Sequence, residues 1–344
     1  MNVFIRVDAS MEIGIGHVMR CLTLSEELKR RGFKVVIISA VLEEDLIQLI
    51  KNKGIDIYFI TNTTFKLDYE QTRHVLTNFI NQLNILIVDS YKLDIQWETL
   101  IKRHVDLLIC IDDEPRLHNV DLLIDNNYKA ESINFYKENM LRTEKLLGSP
   151  YIILRSEFTK HHKQNMMRDS LIHIFFGGTD NNNNTFLYSN KILECIAEVK
   201  VHVVVSNSFV YEETLKKLKT HYGERFNYSV APGNMAKIMS NCTIAIGAPG
   251  TTTWERMAIG LPCAYLATNS NQIPILQKIQ SDKLGIYLGE VNRETVLEQV
   301  LMFSEFLNNI VLQNEIVQNG KNLIDGQGSK RIADVIIKKL ERRN

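Results

Sequence analysis

Short apolar runs rich in valine, isoleucine and leucine alternate with helix-length segments along this chain, and the series restarts near its middle. Alternation of this kind is typical of parallel sheets, because parallel neighbours need a helical crossover between them. It predicts an α/β fold with two Rossmann-like domains facing a cleft, into which both sets of strand carboxyl ends open. The predicted strands are residues 3–7, 35–39, 56–60, 85–89, 107–111 and 122–124, then 171–176, 201–205, 226–230, 243–246 and 263–267.

The domain boundary is predicted in the connection between the two series. A chain of 344 residues is long for one hydrophobic core, and its 45% hydrophobic content supplies two. Residues 148–170 contain Pro150 and a polar, basic stretch, which is typical of a connection. We therefore predict one domain over residues 1–156 and a second over residues 157–344.

Charge and cysteine content exclude several classes of partner. Basic and acidic residues both number 40, so the chain has no overall attraction for nucleic acid or anionic lipid. The five cysteines are widely spaced and lack metal-binding spacing, which indicates reduced thiols. Arg6 and Asp8 interrupt the first apolar run, and no run is long enough to span a bilayer. We expect a cytoplasmic protein that binds neither nucleic acid nor membranes.

A glycine loop follows the first predicted strand and leads into a helix predicted over residues 17–31. Gly14 and Gly16 allow close approach to a ligand, and His17 begins the helix, where the helix dipole favours a neutral imidazole. His17 is therefore a candidate general base, the alternative being a capping or buried histidine. Asp8 is a candidate to orient the ring or bind substrate hydroxyls, the alternative being a loop cap. Arg20, one turn along the helix, is a candidate substrate ligand.

A dinucleotide site is a weaker interpretation of the same loop. Met19 stands where the third glycine of the dinucleotide motif belongs, and Ser39 and Ala40 replace the acidic residue expected after the second strand. We therefore expect no nicotinamide cofactor.

A threonine-rich turn in the second half predicts an anion site. Gly250 permits the turn after residues 243–246, and Thr251, Thr252 and Thr253 begin the next helix, where amides and hydroxyls favour a phosphate. The turn has no lysine, so it is not a Walker A loop. Glu255, one turn into the helix, suits the vicinal hydroxyls of a ribose, although it could simply interact with the helix dipole.

Three further segments are candidates for the same ligand. Gly178 and Thr179 lie in a glycine turn after the first strand of the second half, where backbone amides can meet a diphosphate. Met235 follows a Pro-Gly-Asn turn at the level expected for a nucleobase. Asn271 and Gln272 follow residues 263–267 and carry two amide side chains.

Taken together, these motifs resemble the PseG family, the UDP-2,4-diacetamido-2,4,6-trideoxy-β-L-altropyranose hydrolases of pseudaminic acid biosynthesis, and its spore-coat polysaccharide relatives. The similarity follows the expected order over nearly the whole chain. The matching segments are residues 6–8, 13–21, 88–91, 111–114, 125–128, 154–158, 176–180, 251–255, 271–272 and 325–326.

The resemblance implies a glycosyltransferase-B type fold similar to MurG, and a reaction that needs no metal or cofactor. Water would attack the anomeric carbon of a UDP-sugar and release UDP with inversion, with His17 as general base. Tyr91 and Asn271 match family positions near the sugar and complete a catalytic set with His17 and Asp8. Arg155 matches a substrate-binding position, as does Glu255. We therefore expect the protein to bind a UDP-sugar and to be a monomer.

Several alternatives remain open. The same nucleotide-binding residues would suit a glycosyltransferase that uses a UDP-sugar donor, or a sensor that binds a sugar nucleotide without turnover. Tyr91 could pack in a core, and Arg155 could form a surface salt bridge. Residues 112–114, Asp-Asp-Glu, could bind a divalent metal, but carboxylates at strand ends more often cap helices or bind arginine.

Overall fold

The computed structural model describes residues 1–10, 16–61, 64–79, 82–141, 143–160, 170–178 and 180–342. These residues form two compact units. The first comprises Met1–Arg155 together with the segment from Gly326 onward, and the second comprises Ser156–Asp325. Each unit contains one parallel sheet.

The sheet of the first unit has seven strands among the described residues, in the order β3-β2-β1-β4-β5-β6-β7, and every pairing is parallel. Its central strands are fully buried because apolar helices cover both faces. The strands are β1 (Asn2–Val7), β2 (Lys34–Ser39), β3 (Asp56–Phe59), β4 (Asn84–Asp89), β5 (Leu107–Ile111), β6 (Leu122–Asp125) and β7 (Glu144–Leu147). The helices between them are α1 (Gly16–Arg30), α2 (Glu44–Asn52), α3 (Phe65–Thr77), α4 (Ile95–Ile101) and α5 (Asn134–Asn139), with 3-10 turns at Lys102–His104, Ala130–Ser132 and Ser149–Tyr151.

The second unit repeats this plan with six described strands, in the order β10-β9-β8-β11-β12-β13. Its helices begin with the short α6 (Glu157–Lys160), and residues 161–169 of the predicted connection lie outside the described residues. The strands are β8 (Ser170–Phe175), β9 (Val199–Val205), β10 (Phe226–Val230), β11 (Ile244–Gly247), β12 (Cys263–Ala267) and β13 (Ile286–Glu290). The other helices are α7 (Asn184–Cys195), α8 (Glu212–Tyr222), α9 (Met235–Asn241), α10 (Thr251–Ile259), α11 (Ile273–Ser281), α12 (Val296–Asn308) and α13 (Ile310–Leu323), with 3-10 turns at Gly223–Arg225 and Ser270–Gln272.

The last helix, α14 (Gly328–Glu341), returns to the first unit. Ile332, Ile336 and Leu340 on its apolar face are buried in the same core as α1. The sequence-based division, which gave residues 157–344 to the second domain, therefore differs from the structure at this helix. The physical reason is a long-range apolar contact, which a pattern read along the chain does not contain.

All eleven strands predicted from the sequence are present, and the described residues contain two more that were not predicted, β7 and β13. β7 and β13 are the outermost strands of their sheets, and each is only partly buried. Their mixed composition lacks the continuous apolar pattern of a central parallel strand.

Both sheets reverse their strand order at the same place. In the first unit the reversal lies between β1 and β4, and in the second it lies between β8 and β11. In open parallel sheets the crevice outside the strand carboxyl ends at this reversal is the usual ligand site. Among the described residues, we find no helix that combines the length and apolar character a membrane crossing requires.

Candidate active site

His17 and Asp89 meet at the strand reversal of the first unit. His17 is the second residue of α1, which follows β1, and Asp89 is the last residue of β4. The parallel register pairs Val7 with Asp89, so the two carboxyl ends lie side by side. The His17 Nδ1 atom is 2.5 Å from the Asp89 Oδ1 atom.

Arg20 holds the other side of the same carboxylate. Its Nε donates to Asp89 Oδ2 at 2.6 Å and its NH2 group to Oδ1 at 2.6 Å. Burial by itself raises the pKa of Asp89, but the Arg20 charge and hydrogen bonds, followed by His17, lower that pKa to about 2. Asp89 is therefore a permanent buried anion fixed by two side chains of one helix turn.

The Asp89 contact fixes the tautomer of His17. An ionised carboxylate only accepts hydrogen bonds, so Nδ1 carries a proton and donates it to Asp89. The Arg20 NH2 group, which also lies 3.0 Å from Nδ1, donates to Asp89 Oδ1 at the shorter distance of 2.6 Å. The Nε2 atom of a neutral ring then retains a lone pair that can accept a proton. The His17 side chain is 12% exposed, so the ring is partly accessible to solvent.

Tyr91 packs against the same histidine. Its ring meets the His17 ring edge to face, with centroids 4.9 Å apart and an interplanar angle of 89°. The Tyr91 hydroxyl donates to Asp113, and Arg20 lies 3.5 Å from the other oxygen of Asp113. Burial, followed by the bond to Asp113, raises the pKa of Tyr91, so its hydroxyl remains protonated. The structure thus brings together the predicted residues His17, Arg20 and Tyr91.

Asp8 does not orient His17 in the described structure. Arg6 donates to both of its oxygens, at 2.6 and 2.9 Å, and the backbone N–H of Ala40 donates at 2.8 Å. Asp8 therefore ties the ends of β1 and β2 together, and the ring-orienting role considered for it belongs to Asp89. The sequence showed Asp89 at a predicted strand end, but only the pairing of β1 with β4 places it beside His17.

Two of the three acidic residues considered for metal binding, Asp112 and Asp113, bind an arginine and a tyrosine hydroxyl. Asp112 accepts from Arg116 at 2.6 Å, and Asp113 accepts from Tyr91. A separate buried group, Glu98, Cys110 and His118, has ligand atoms within 4.8 Å of one another and could hold a divalent cation. In the structure His118 Nδ1 donates to Glu98 at 2.7 Å, so an ion would have to replace this hydrogen bond.

In the second unit the threonine-rich turn lies at the corresponding strand reversal. Gly247 ends β11, and a Cβ atom there would lie 2.0 Å from the Phe175 carbonyl oxygen, so only glycine fits. Gly250 has φ +153°, and its N–H donates to Thr253 Oγ1 at 3.3 Å at the start of α10. The first amides of a helix lack intrahelical acceptors and therefore favour an anion.

The other predicted ligands of this unit have different local roles. Met235 is the buried first residue of α9, and Glu255 is buried within α10, whereas Thr251 is exposed. Gln272 accepts from the Thr268 N–H at 2.9 Å, which stabilises the turn that also carries the exposed Asn271.

The remaining predicted residues lie near the ends of strands and helices or outside the described residues. Gly178, after β8, accepts from the Ser206 hydroxyl through its carbonyl. Gly16 is the exposed first residue of α1, and Arg155 is the half-buried last residue of the first unit before the division. Gly14 and Thr179 lie outside the described residues.

Solved structures establish the fold class. The chain superposes on MurG of Acinetobacter baumannii with a TM-score of 0.66 and 12% identity, covering 98% of this chain and 99% of that one. It superposes on the calicheamicin glycosyltransferase CalG4 with a TM-score of 0.70 and 12% identity, covering 99% and 98%. The predicted two-domain α/β fold of the glycosyltransferase-B type is therefore confirmed.

Curated relatives then identify the family that the chain resembles. It is 28% identical to the UDP-2,4-diacetamido-2,4,6-trideoxy-beta-L-altropyranose hydrolase of Campylobacter jejuni, over 70% of this chain and 82% of that protein. It is 23% identical to the spore coat polysaccharide biosynthesis protein SpsG of Bacillus subtilis, over 98% of both chains. The resemblance drawn from the motifs is confirmed by these two proteins.

A third relative is an uncharacterised protein of Methanocaldococcus jannaschii, which is 27% identical over 79% of this chain. The match spans only 57% of the length of that relative. No protein-family model matches the chain.

Proposed function

We propose that this protein hydrolyses a UDP-linked sugar, with His17 as the general base. The observation that carries the proposal is the contact between His17 Nδ1 and Asp89 Oδ1, which leaves Nε2 as a proton acceptor. The similarity to the Campylobacter jejuni hydrolase supports a diacetamido-trideoxy sugar as the substrate class.

In the proposed reaction, a water molecule gives a proton to His17 Nε2 and its oxygen bonds to the anomeric carbon. The bond between that carbon and the oxygen of the β-phosphate breaks, and the electron pair leaves with UDP. Attack opposite the leaving group inverts the anomeric centre. Asp89 stabilises the imidazolium that forms, and His17 becomes a base again when this proton is released to solvent.

The second unit supports the leaving-group half of the reaction. The glycine turn after β8 and the turn before α10 are neighbours, because β8 and β11 pair directly. Backbone amides at such turns and at a helix start stabilise the negative charge that grows on a departing diphosphate. The remaining acceleration comes from positioning of water and sugar.

The decisive experiment incubates the protein with a panel of UDP-sugars and no acceptor, and follows UDP release and the anomer first formed. We expect release of UDP and an inverted free sugar. UDP release that depends on an added sugar or lipid acceptor would instead indicate a glycosyltransferase, and binding without turnover would indicate a sensor.

His17→Gln tests the assigned base. Turnover should fall about 10²–10⁴-fold, the usual contribution of general-base catalysis, with UDP affinity nearly unchanged. His74→Gln is the matched control, because His74 is exposed in the last turn of α3. A His17→Gln enzyme with near-normal turnover would remove His17 from the mechanism.

A further inference from the structure

Arg256 is a fully buried cation in the middle of the second unit. It lies in α10, six residues after Gly250 of the turn that the sequence marks as an anion site, and none of its surface is exposed. Its NH1 group donates to the Ala248 carbonyl at 3.3 Å, and its NH2 group donates to the Phe175 carbonyl at 3.3 Å. The guanidinium also lies over the Tyr265 ring, 5.8 Å from its centroid.

These two carbonyls stand at the entrances of both proposed diphosphate turns. Phe175 is the last residue of β8, directly before the glycine turn at residues 176–178. Ala248 follows β11, directly before Pro249 and Gly250. A single side chain therefore ties together the starting points of the two turns.

The charge of Arg256 is not balanced by a carboxylate within the described part of the chain. Its hydrogen-bond acceptors are the two carbonyls and the Cys263 sulfur at 3.4 Å, and its buried Nε has no partner. The nearby His173 is neutral, because burial, followed by the Arg256 charge, lowers the pKa of that imidazole far below its usual value, so it neither adds to the Arg256 charge nor balances it. Burying an unpaired charge is costly, and this cost is reduced when an anion binds next to it.

We propose that Arg256 is a positioning residue that aligns the two turns and leaves a buried positive charge for the diphosphate of the nucleotide to balance. This inference rests on the proposed function, because it assumes that a nucleoside diphosphate binds at these turns. It predicts that Arg256, which has no exposed surface, determines how much more tightly the protein binds UDP than uridine.

The test compares affinities for UDP and for uridine in wild type, Arg256→Gln and Arg256→Lys. Glutamine removes the charge and keeps an amide donor, whereas lysine keeps the charge. We expect Arg256→Gln to weaken UDP binding about 10- to 100-fold and uridine binding less than about threefold. Arg256→Lys should retain a UDP-to-uridine affinity ratio closer to that of wild type.

Arg225→Gln is the matched control. Arg225 also donates to backbone carbonyls, those of Leu193, Ile196 and Val199, but it lies beside the amino ends of β9 and β10. Its loss should alter thermal stability and leave the UDP-to-uridine affinity ratio unchanged. Equal weakening of UDP and uridine by Arg256→Gln, or a Lys variant with a ratio as low as the Gln variant, would overturn the proposal.

The outcomes also separate this inference from the proposed hydrolysis. UDP binding without turnover would contradict hydrolysis and leave the Arg256 comparison intact. A wild-type protein that binds neither UDP nor inorganic pyrophosphate would refute both. If Arg256→Gln does not fold, the ratio measured for Arg256→Lys decides alone, because a ratio reduced to about one-tenth or less would refute a role for charge.

Discussion

The two units share one strand order but use its reversal point differently. In the first unit the reversal carries charged side chains, with His17 and Arg20 both bound to Asp89. In the second it carries glycine and threonine turns, whose polar groups are mainly backbone amides. Under the proposed function, the same scaffold presents a proton acceptor in one unit and an anion-binding turn in the other.

This difference between the units shows that a proton acceptor and an anion-binding turn place different demands on the sequence. A proton acceptor needs one ring held in one tautomer, which requires a fixed charged partner. An anion-binding turn needs the backbone to approach closely, which requires the absence of side chains. Substitutions at the first reversal should therefore act on catalysis, and those at the second on binding and folding.

Asp89→Asn should have the largest effect. The amide can present its NH2 group to His17 Nδ1, which favours the wrong tautomer, so turnover should fall about 10²–10⁴-fold. Turnover and UDP affinity are measured together, and UDP affinity should change little. Asp125→Asn is the control, because Asp125 ends β6 and bonds to Asn127 and Tyr136 rather than to His17. Loss of UDP binding in Asp89→Asn would contradict the proposal that the first unit acts on catalysis and the second on UDP binding.

Gly247→Ala should act on the second reversal. The new methyl group would lie 2.0 Å from the Phe175 carbonyl, so the turn must shift, at a cost of about 3 kcal/mol in the free energy of unfolding. Denaturant titration measures the stability, and UDP affinity should fall as well. Gly233→Ala is the control, since a Cβ atom at Gly233 meets nothing within 4 Å. Equal stabilities for the two variants would contradict the fitted turn.

Stability at low pH should report the charge of Asp89. The pKa of this group is about 2 in the folded protein, below the usual 3.8, so its stabilisation is complete above about pH 4 and is lost as the pH falls toward 2. The contribution is on the order of 2 kcal/mol. Denaturant titrations of wild type and Asp89→Asn should therefore converge below pH 4.

Asp125→Asn supplies a comparison of opposite sign. Burial raises the pKa of Asp125, so its charged form destabilises the folded protein at neutral pH. In the same titration, wild type should therefore gain stability relative to Asp125→Asn as the pH falls, whereas it loses stability relative to Asp89→Asn. Parallel pH profiles for wild type and Asp89→Asn would contradict the assigned ion pair.

Tyr91→Phe should have the smallest effect. It removes the hydrogen bond to Asp113 and keeps the ring contact with His17, so kcat should fall about two- to fivefold. Tyr69→Phe is the control: Tyr69 lies in α3 and its hydroxyl contacts His104, so its loss should leave kcat unchanged. A loss as large as that of His17→Gln would make Tyr91 a direct participant.

Much of the fold could be predicted because buried parallel strands appear in the sequence as continuous apolar runs. Continuous apolar runs marked eleven strands, and the glycine and threonine turns marked where two of them end. The outer strands β7 and β13 were missed because Glu144 and Lys145 in β7, and Gly289 and Glu290 in β13, shorten their apolar runs. The helix α14 was given to the wrong unit because its apolar face finds a distant core.

The sequence by itself determined the fold class, the position of His17 at a helix start and the turns suited to an anion, because each depends on residues close together in the chain. Tertiary structure alone decided the partner of His17, the role of Asp8 and the burial of Arg256. Asp89 is 72 residues from His17. Only strand pairing across the reversal brings their atoms together, and charge pairing in a buried site depends on that distance in space.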